Sequence, residues 1–390
     1  MAEQQRPLEP PPLIPLAQWH WATPAAQAVL AGGSLGAILR FYRAVHRINQ
    51  TALGDLLGYD KTTISALELG KRTVNDIASR RRIATLLRLP AHVLGVTDPA
   101  DADHRAMLQF GDSTVRLAEI ARQSGHAAEA VAELWPLAAR LEARVHDGHT
   151  EASALRLLAR ARVGLGVALG NVLPEERLAT AARWTAGSLR IAPHLDDPRF
   201  TSYALRMHGN ELRKAGLRGA AVERLRRAAA LAPDRTDRAA ALPLLARAAG
   251  QAGQTSLFDA VMRESQALLP EVEHTSLFNP YALHEIQLRG LVATDRLGAA
   301  IRLAEAGPPP AATAAPQWRV IAAVTTGRVR LLAQDRADAA ERLTFAIGEA
   351  SRLRLPHQLQ RVLRASAGQL PDVHAVAEHA LDRLRREMAA

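Results

Sequence analysis

The sequence predicts an all-α protein, in which a small domain of short helices precedes a long array of helical hairpins. Hydrophobic residues make up 48% of the chain but aromatic residues only 4%, so the core is mostly Leu, Ala and Val, a composition that favours closely packed helices. Apolar residues recur at three- and four-residue spacings from Ser34 onward, which is the helical period. A chain of 390 residues also exceeds one ordinary core, so two or three folding units are expected.

Residues 1–32 are predicted to form a disordered, proline-rich leader with a tryptophan anchor. Segment 1–16 contains five prolines, too many for a helix. Trp19 and Trp21 follow them. We favour a role in docking the leader onto the next domain over a hot spot for a binding partner.

Residues 33–98 are predicted to form a compact domain of five short helical segments. The first carries one apolar stripe, and the second and third end at Gly58 and Gly70. The fourth segment runs from Asp76 to Leu87, and a closing turn begins at Pro90.

Residues 103–390 are predicted to form a solenoid of helical hairpins. The hairpins begin at intervals of about 40 residues, a period typical of paired-helix repeats. The predicted units are 104–146, 151–192, 199–232, 237–269, 279–306, 317–352 and 357–388.

One of these units resembles the tetratricopeptide repeat. Its glycine pair (Gly209 and Gly216), small residue, bulky residue, second small residue and final proline fall in register with that family. The small residues are needed where two helix backbones cross closely. Other units repeat the pattern loosely, and the proline-rich segment 307–316 interrupts the array as a loop, which we favour, or as a hinge. The matching residues are Gly209, Gly216, Ala221, Leu225, Ala228 and Pro233.

The stretch from Leu35 to Gly70 resembles the phage-repressor-like (Cro/C1-type, XRE) helix-turn-helix. Its pattern has a glutamine that begins the scaffold helix, a small residue, a turn glycine, an Ile-Ser pair in the recognition helix and a final Glu-x-Gly. The resemblance covers the larger part of segment 33–98 and implies a DNA-binding domain. The matching residues are Leu39, Arg40, Asn49, Gln50, Leu53, Leu57, Gly58, Ile64, Ser65, Leu67, Glu68 and Gly70.

In that family the recognition helix enters the major groove by its N-terminal end. Asp60 can cap this helix by accepting backbone hydrogen bonds. Lys61 and Thr62 then project toward base edges, with Ser65 and Ala66 one turn later. Lysine can reach guanine O6 and N7, and the methyl groups of Thr62 and Ala66 can meet a thymine methyl.

Five other side chains are assigned to phosphate. Gln50 stands at the N-terminus of the scaffold helix, where the helix dipole favours an anion. Four basic residues lie near the edges of the domain, within a segment whose ten basic and five acidic residues give a net charge of +5. These four are Arg43, Arg47, Lys71 and Arg72.

Some of these side chains also have an interpretation that involves no contact with DNA. Lys61 could be a solvated surface lysine, although we favour a base contact. Glu68 is expected to pair with a nearby arginine rather than with a base. The run Arg80–Arg82 is expected to be solvated, with the aliphatic part of one of its side chains directed toward the core. Because Ala66 and Leu69 stand where the family often has long polar residues, base discrimination by the helix alone is expected to be modest.

Composition and motifs exclude several classes of protein. The chain has no cysteine, so disulfides and thiolate chemistry are excluded, and no apolar run approaches the roughly 18 residues of a membrane span. The N-terminus lacks a secretory signal, so we expect a cytoplasmic protein. The arginine preference (only three of the 49 basic residues are lysine) indicates a high-GC bacterial genome, and the net charge of +10 favours polyanionic partners.

No catalytic or cofactor motif is found. His146 and His149 resemble a metal pair but have no third ligand at a recognisable spacing, and the glycines lack the arrangement of a phosphate loop. We therefore expect no enzyme activity and no cofactor.

These features predict a transcriptional regulator that binds double-stranded DNA as a homodimer. Its repeat array would bind a peptide, a small molecule or a protein, with Asn210 and Arg213 as candidate contacts. The domain order resembles that of the peptide-pheromone-responsive regulators of Gram-positive bacteria. The alternatives are an adaptor with weak, non-specific DNA binding and a repressor that acts with a protein partner in an enzyme-containing operon or toxin module.

Overall fold

The computed structural model describes residues 20–97, 100–310 and 315–389, and it contains no strand in those ranges. The predicted all-α class is confirmed. No described helix combines the length and apolar character needed to cross a membrane. The α-helices are α1 (Pro24–Ala31), α2 (Leu35–His46), α3 (Gln50–Leu57), α4 (Lys61–Glu68), α5 (Ile77–Leu87), α6 (Ala100–Gln123), α7 (Ala127–His146), α8 (Ala152–Val172), α9 (Leu178–Ile191), α10 (Pro198–Lys214), α11 (Arg218–Ala230), α12 (Arg235–Gln251), α13 (Thr255–Leu268), α14 (Pro280–Ala293), α15 (Leu297–Ala306), α16 (Pro316–Leu332), α17 (Arg336–Arg352), α18 (Pro356–Ser366) and α19 (Pro371–Ala389).

The chain divides into two compact units. One comprises the residues up to Ser113 together with Pro136–Ala159, and the other comprises Thr114–Trp135 together with Arg160–Ala390. We call them the N-terminal unit and the array unit. The division passes through α6, α7 and α8, so these three helices belong partly to each unit.

The N-terminal unit contains four helices where the sequence predicts them, α2 to α5, and the predicted closing turn is the 3-10 helix Ala91–Leu94. The segment 20–32 differs from the prediction of a disordered leader, because α1 forms there on an N-cap at Thr23. Trp21 explains the difference. It is fully buried, its Nε1 donates to the carbonyl oxygen of Leu87 at 2.9 Å, and its ring stacks on Phe41 at 5.6 Å.

The tryptophan anchor expected in this region is therefore Trp21. Trp19 and the prolines of segment 1–16 lie outside the described residues. So does part of the segment 307–316, whose residues 307–310 have no regular structure and whose last residue, Pro316, begins α16.

After residue 98 the described chain is a run of helical hairpins, and the seven observed pairs from α6/α7 to α18/α19 agree with the predicted intervals to within four residues. The first helices of successive hairpins pack against one another, α10 on α12, α12 on α14, α14 on α16 and α16 on α18. The predicted close crossing occurs where α10 meets α11. A Cβ atom on Gly209 would lie 2.6 Å from Cγ of Leu225, and Ala221 and Ala228 are fully buried.

Candidate functional site

A three-residue turn joins α3 to α4 in the helix-turn-helix order that the sequence predicts. Gly58 ends α3 in the left-handed conformation, at a φ of 70° that a side chain would strain. Asp60 caps α4 by accepting a hydrogen bond from the backbone N–H of Thr63 at 2.6 Å, and this bond lowers the pKa of its carboxyl. Gly54 allows the turn to pass closely over α3, because a Cβ atom there would collide with the carbonyl oxygen of Tyr59.

The exposed side of α4 carries the residues assigned to base contacts. Lys61 and Thr62 are exposed at its N-terminal end, and Ser65 and Ala66 are half-buried one turn later. The opposite side of the helix packs into the core through Ile64 and other buried residues. The capped end of α4 is therefore free of core packing and presents a lysine, two hydroxyl groups and a methyl group to a ligand.

Glu68, at the end of α4, is buried and holds three polar side chains. Arg43 donates from Nε to Oε1 at 2.6 Å and from Nη2 to Oε2 at 2.9 Å, and Gln50 donates from Nε2 to Oε2 at 2.8 Å. Arg40 donates to the backbone oxygen of Glu68. Burial acts to raise the pKa of Glu68, but the hydrogen bonds from Arg43 and Gln50 outweigh it and hold the pKa below its usual range.

This cluster gives a structural role to two residues that the sequence assigned to phosphate. Glu68 is a structural partner of an arginine, as expected. Arg43 and Gln50 both donate hydrogen bonds to Glu68, because a buried carboxylate requires compensating donors. They therefore fix α2, α3 and α4 relative to one another.

The other three basic residues that the sequence assigned to phosphate lie at the surface. Arg47 and Lys71 are exposed, and Arg72 is exposed while it donates from Nη1 to Thr63 Oγ1 at 3.0 Å. Within the run Arg80–Arg82, the side chain directed inward is that of Arg80, since its Nε donates to the carbonyl oxygen of Val74 at 2.7 Å.

In the array unit, the two residues assigned to ligand contact lie together on α10. Asn210 and Arg213 are both buried, and the guanidinium donates to Asn210 Oδ1 from Nε at 3.2 Å and from Nη2 at 2.9 Å. Its Nη1 donates to Gln251 Oε1 on α12 at 3.3 Å. Both residues line a cavity of about 880 Å³ that lies entirely within the array unit.

Five successive inner helices each contribute an arginine of one series to the cavity lining, and α18 contributes Arg364 as well. The arginines of the series recur at intervals close to that of the repeat, so each occupies the inner side of its own hairpin. Only Arg213 was predicted from the sequence, because each of the others resembles a surface residue in a chain rich in arginine. The five are Arg213 on α10, Arg247 on α12, Arg289 on α14, Arg328 on α16 and Arg361 on α18.

Three other cations of this lining have carboxylate partners, and one of them is Arg122, whose Nε donates to Glu119 Oε2 at 2.7 Å. Lys214 Nζ lies 3.0 Å from Oε1 of the fully buried Glu211, and burial lowers the pKa of Lys214 to about 8. Arg364 donates from Nη2 to Glu175 Oε1 at 2.7 Å. Arg289 lies 3.6 Å from Glu285, a longer and weaker pairing.

Four of the five arginines have no such partner. Within the described residues, no carboxylate oxygen lies within 4.0 Å of the guanidinium nitrogens of Arg213, Arg247, Arg328 or Arg361. Burial first, and then repulsion from neighbouring arginines, lowers the pKa of Arg247 to about 10 and displaces the pKa of Arg213 and of Arg361 further in the same direction. The electrostatics of the cavity therefore favour an anion.

A histidine cluster in the N-terminal unit was also missed. His104 and His149 are buried beside Glu151, and His104 Nε2 lies 2.5 Å from Glu151 Oε1. Ligand atoms of all three lie within 4.8 Å of one another, a donor set that could hold a metal ion. His146, which the sequence paired with His149, is exposed and lies outside this group.

The sequence offered one signal for the cluster, the His-x-Glu spacing of His149 and Glu151, but His104 comes from a distant point of the chain on α6. Glu151 gives His104 Nε2 a partner without an ion, whereas Nδ1 of His104 and of His149 is buried and has no hydrogen-bond partner among the described residues.

Comparison with known proteins adds little to this description. No family model matches the chain, and no curated protein matches it. Among solved structures, the crystal structure of Bacillus thuringiensis PlcR in complex with the peptide PapR7 and DNA is similar at a TM-score of 0.26, with 11% identity over 90% of this chain and 99% of that one. A circular tandem repeat protein gives a TM-score of 0.17, with 12% identity over 95% of each chain. Similarities this low establish no common fold, so the function must be inferred from the residues themselves.

Proposed function

We propose that this protein is a transcriptional regulator that binds double-stranded DNA through α3 and α4 and binds an effector in its repeat array. The DNA-binding part would be a phage-repressor-like helix-turn-helix, and the array would be of the tetratricopeptide type. In this proposal the protein is not an enzyme, because its function is to couple the binding of an effector to the binding of DNA.

The observation that carries the proposal is the exposed, capped N-terminal end of α4. Lys61 and Thr62 are exposed there, directly after the N-cap Asp60, on a short helix whose other side is fixed in the core. A helix held in this way can enter the major groove end first, with a lysine able to reach guanine and a hydroxyl group able to bond to a base edge.

The basic residues around α4 supply the second requirement, which is affinity for phosphate. Arg47, Lys71 and Arg72 are exposed and close to the helix in sequence, and the domain carries a net charge of +5. With Arg43 and Gln50 bound to Glu68, these three become the candidate phosphate contacts. Their role would be to position α4 rather than to select a sequence.

A single short recognition helix reads too few base pairs to define a unique site. We therefore propose that two copies bind an inverted repeat, since pairing doubles the number of bases read. The effector would act by changing the affinity of this complex for its operator, with a coupling free energy of about 1–3 kcal/mol.

Selection from a random pool of duplex DNA tests the proposal directly. The full-length protein should enrich one sequence family with two-fold symmetry, and the mass of the complex should correspond to two chains per duplex. The Thr62→Ala variant should enrich a family altered at one position in each half-site, whereas the control Asp55→Asn, an exposed change on α3, should reproduce the wild-type family. Uniform retention of all sequences would support the adaptor alternative and reject sequence-specific regulation.

A further inference from the structure

The arginine series of the array unit has a charge distribution that packing does not explain. Arg213, Arg247 and Arg361 are carried by three different helices, yet all line one cavity and repel one another. Within the described residues none has a carboxylate partner within 4.0 Å, although nearby Lys214 has one in Glu211. These three cations therefore form no ion pair with a carboxylate, although the buried Glu211 and Glu285 act on them from a greater distance.

The hydrogen-bond acceptors of these arginines are uncharged side chains, which orient the guanidinium groups but do not neutralise their positive charge. Arg361 donates to Gln358 Oε1 at 2.6 Å and to Thr325 Oγ1 at 3.1 Å, and Arg213 donates to Asn210. Amide and hydroxyl oxygens orient a guanidinium and leave its charge intact. Oriented guanidinium donors that are not paired with a carboxylate are the arrangement by which proteins bind anions.

Arg247 gives the strongest single argument for an anionic ligand. Its Nε is buried and has no hydrogen-bond acceptor, while its guanidinium lies over the ring of Trp318 at 5.2 Å from the centroid. An unsatisfied, buried, charged donor is costly to folding. An anion in the cavity would supply the acceptor that the protein does not.

The remaining lining limits the kind of anion. The cavity has a volume of about 880 Å³, suited to a small molecule, and its lining includes apolar side chains of Met207, Leu244, Ile286 and Ile321 together with Trp318. A ligand that fits must therefore combine several negative charges with an apolar or aromatic part.

We propose that the cavity of the array unit binds a phosphorylated small molecule, whose phosphate oxygens are held by Arg213, Arg247 and Arg361 and whose organic part packs among the apolar residues beside Trp318. The planar guanidinium fork pairs with two phosphate oxygens at once, and a diphosphate carries enough charge to compensate three arginines. This assignment deepens the proposed function by naming the class of effector that the array binds.

Isothermal titration calorimetry of the full-length protein, without DNA, tests the inference with inorganic pyrophosphate and adenosine diphosphate as probes. We expect one site per chain, with each of Arg213→Gln, Arg247→Gln and Arg361→Gln weakening pyrophosphate binding by about tenfold or more. Arg263→Gln, on the exposed side of α13, is the control and should bind as the wild type does.

A measurement of stability without ligand distinguishes loss of a binding group from loss of folding. Since each substitution removes a repelling charge, the melting temperature of the variants alone should equal or exceed that of the wild type. Pyrophosphate should raise the wild-type melting temperature and leave that of the variants almost unchanged.

Two results would overturn the inference. One is the absence of binding by either probe at millimolar concentration, or equal binding by the wild type and the three variants. The other is tighter binding of citrate or of an acidic peptide than of pyrophosphate, which would assign the cavity to carboxylates or to peptides. Since no DNA is present, these failures would leave the DNA-binding proposal untouched, and failure to enrich a DNA sequence would leave this one untouched.

Discussion

Arg43 and Glu68 form a two-pronged ion pair that joins α2 to the end of α4, with N–O distances of 2.6 and 2.9 Å. Glu68 is only 5% exposed and Arg43 is 24% exposed, so the pair is largely shielded from water. Gln50, at the start of α3, donates to the same carboxylate. One buried acid therefore links α2, α3 and the end of α4.

Substitution of that acid should loosen the recognition helix. We expect Glu68→Gln to lower the local stability of α4 by about 2 kcal/mol, because a half-buried arginine loses its counter-charge. Hydrogen exchange of peptides from α4 measures this directly, and peptides from α12 in the array unit serve as an internal reference. Asp55→Asn should change exchange by less than about 0.5 kcal/mol. Unchanged protection of α4 in Glu68→Gln would show that the pair does not hold the helix.

The turn between α3 and α4 gives a second prediction through Gly54. A methyl group there would collide with the carbonyl oxygen of Tyr59, so Gly54→Ala should destabilise the N-terminal unit by about 1–3 kcal/mol. The matched control is Gly219→Ala on α11, where no heavy atom lies within 4 Å of the added Cβ, and which should stabilise its helix by about 0.4–1 kcal/mol. Thermal unfolding followed by circular dichroism compares the two, and equal effects would contradict the steric argument.

The pH dependence of stability is predicted from His208 on α10. Burial, with a smaller effect of Arg224, lowers the pKa of His208 to about 4, and its Nδ1 lies 3.0 Å from Thr185 Oγ1. The unfolded chain takes up this proton near pH 6.5, earlier than the folded chain does. The contribution of neutral His208 is therefore complete above pH 6.5 and declines as the pH falls toward 4, by a total of about 3 kcal/mol.

The test compares urea unfolding of the wild type and of His208→Asn, which keeps a hydrogen-bonding group near Thr185, at pH 7.5 and pH 4.5. The wild type should lose more stability than the variant over this interval, since only the wild type carries the titrating group. A stability difference between the two proteins that is the same at both pH values would show that His208 titrates normally.

The helices were predictable from the sequence because the features that define a helix lie in residues close together along the chain. Apolar periodicity and stops such as Gly58 depend on neighbouring residues, so the helices of the N-terminal unit and the seven hairpins could be placed from the order of the amino acids alone. The pairing of Glu68 with an arginine was also predictable, although the identity of its partners was not. Arg43 approaches from 25 residues away, and its charge alone suggested phosphate.

The cavity could not be predicted in the same way. Arg247 and Arg361 are separated by more than a hundred residues and meet only because inner helices stack. Among 49 basic residues, nothing local distinguishes a buried arginine from a solvated one. The histidine cluster was missed for the same reason, since His104 reaches Glu151 across 47 residues.

The affinity of Lys61→Ala for the selected operator, measured by fluorescence anisotropy beside its affinity for unrelated duplex DNA at the same salt concentration, tests the central claim most directly. If Lys61, exposed at the capped end of α4, contacts a base, the substitution should cost about 1–3 kcal/mol on the operator and much less on unrelated DNA. Lys71→Ala, the control for a phosphate contact, should weaken both complexes alike. Equal losses on both DNAs for Lys61→Ala, matching those of Lys71→Ala, would contradict the assignment of α4 as the helix that reads sequence.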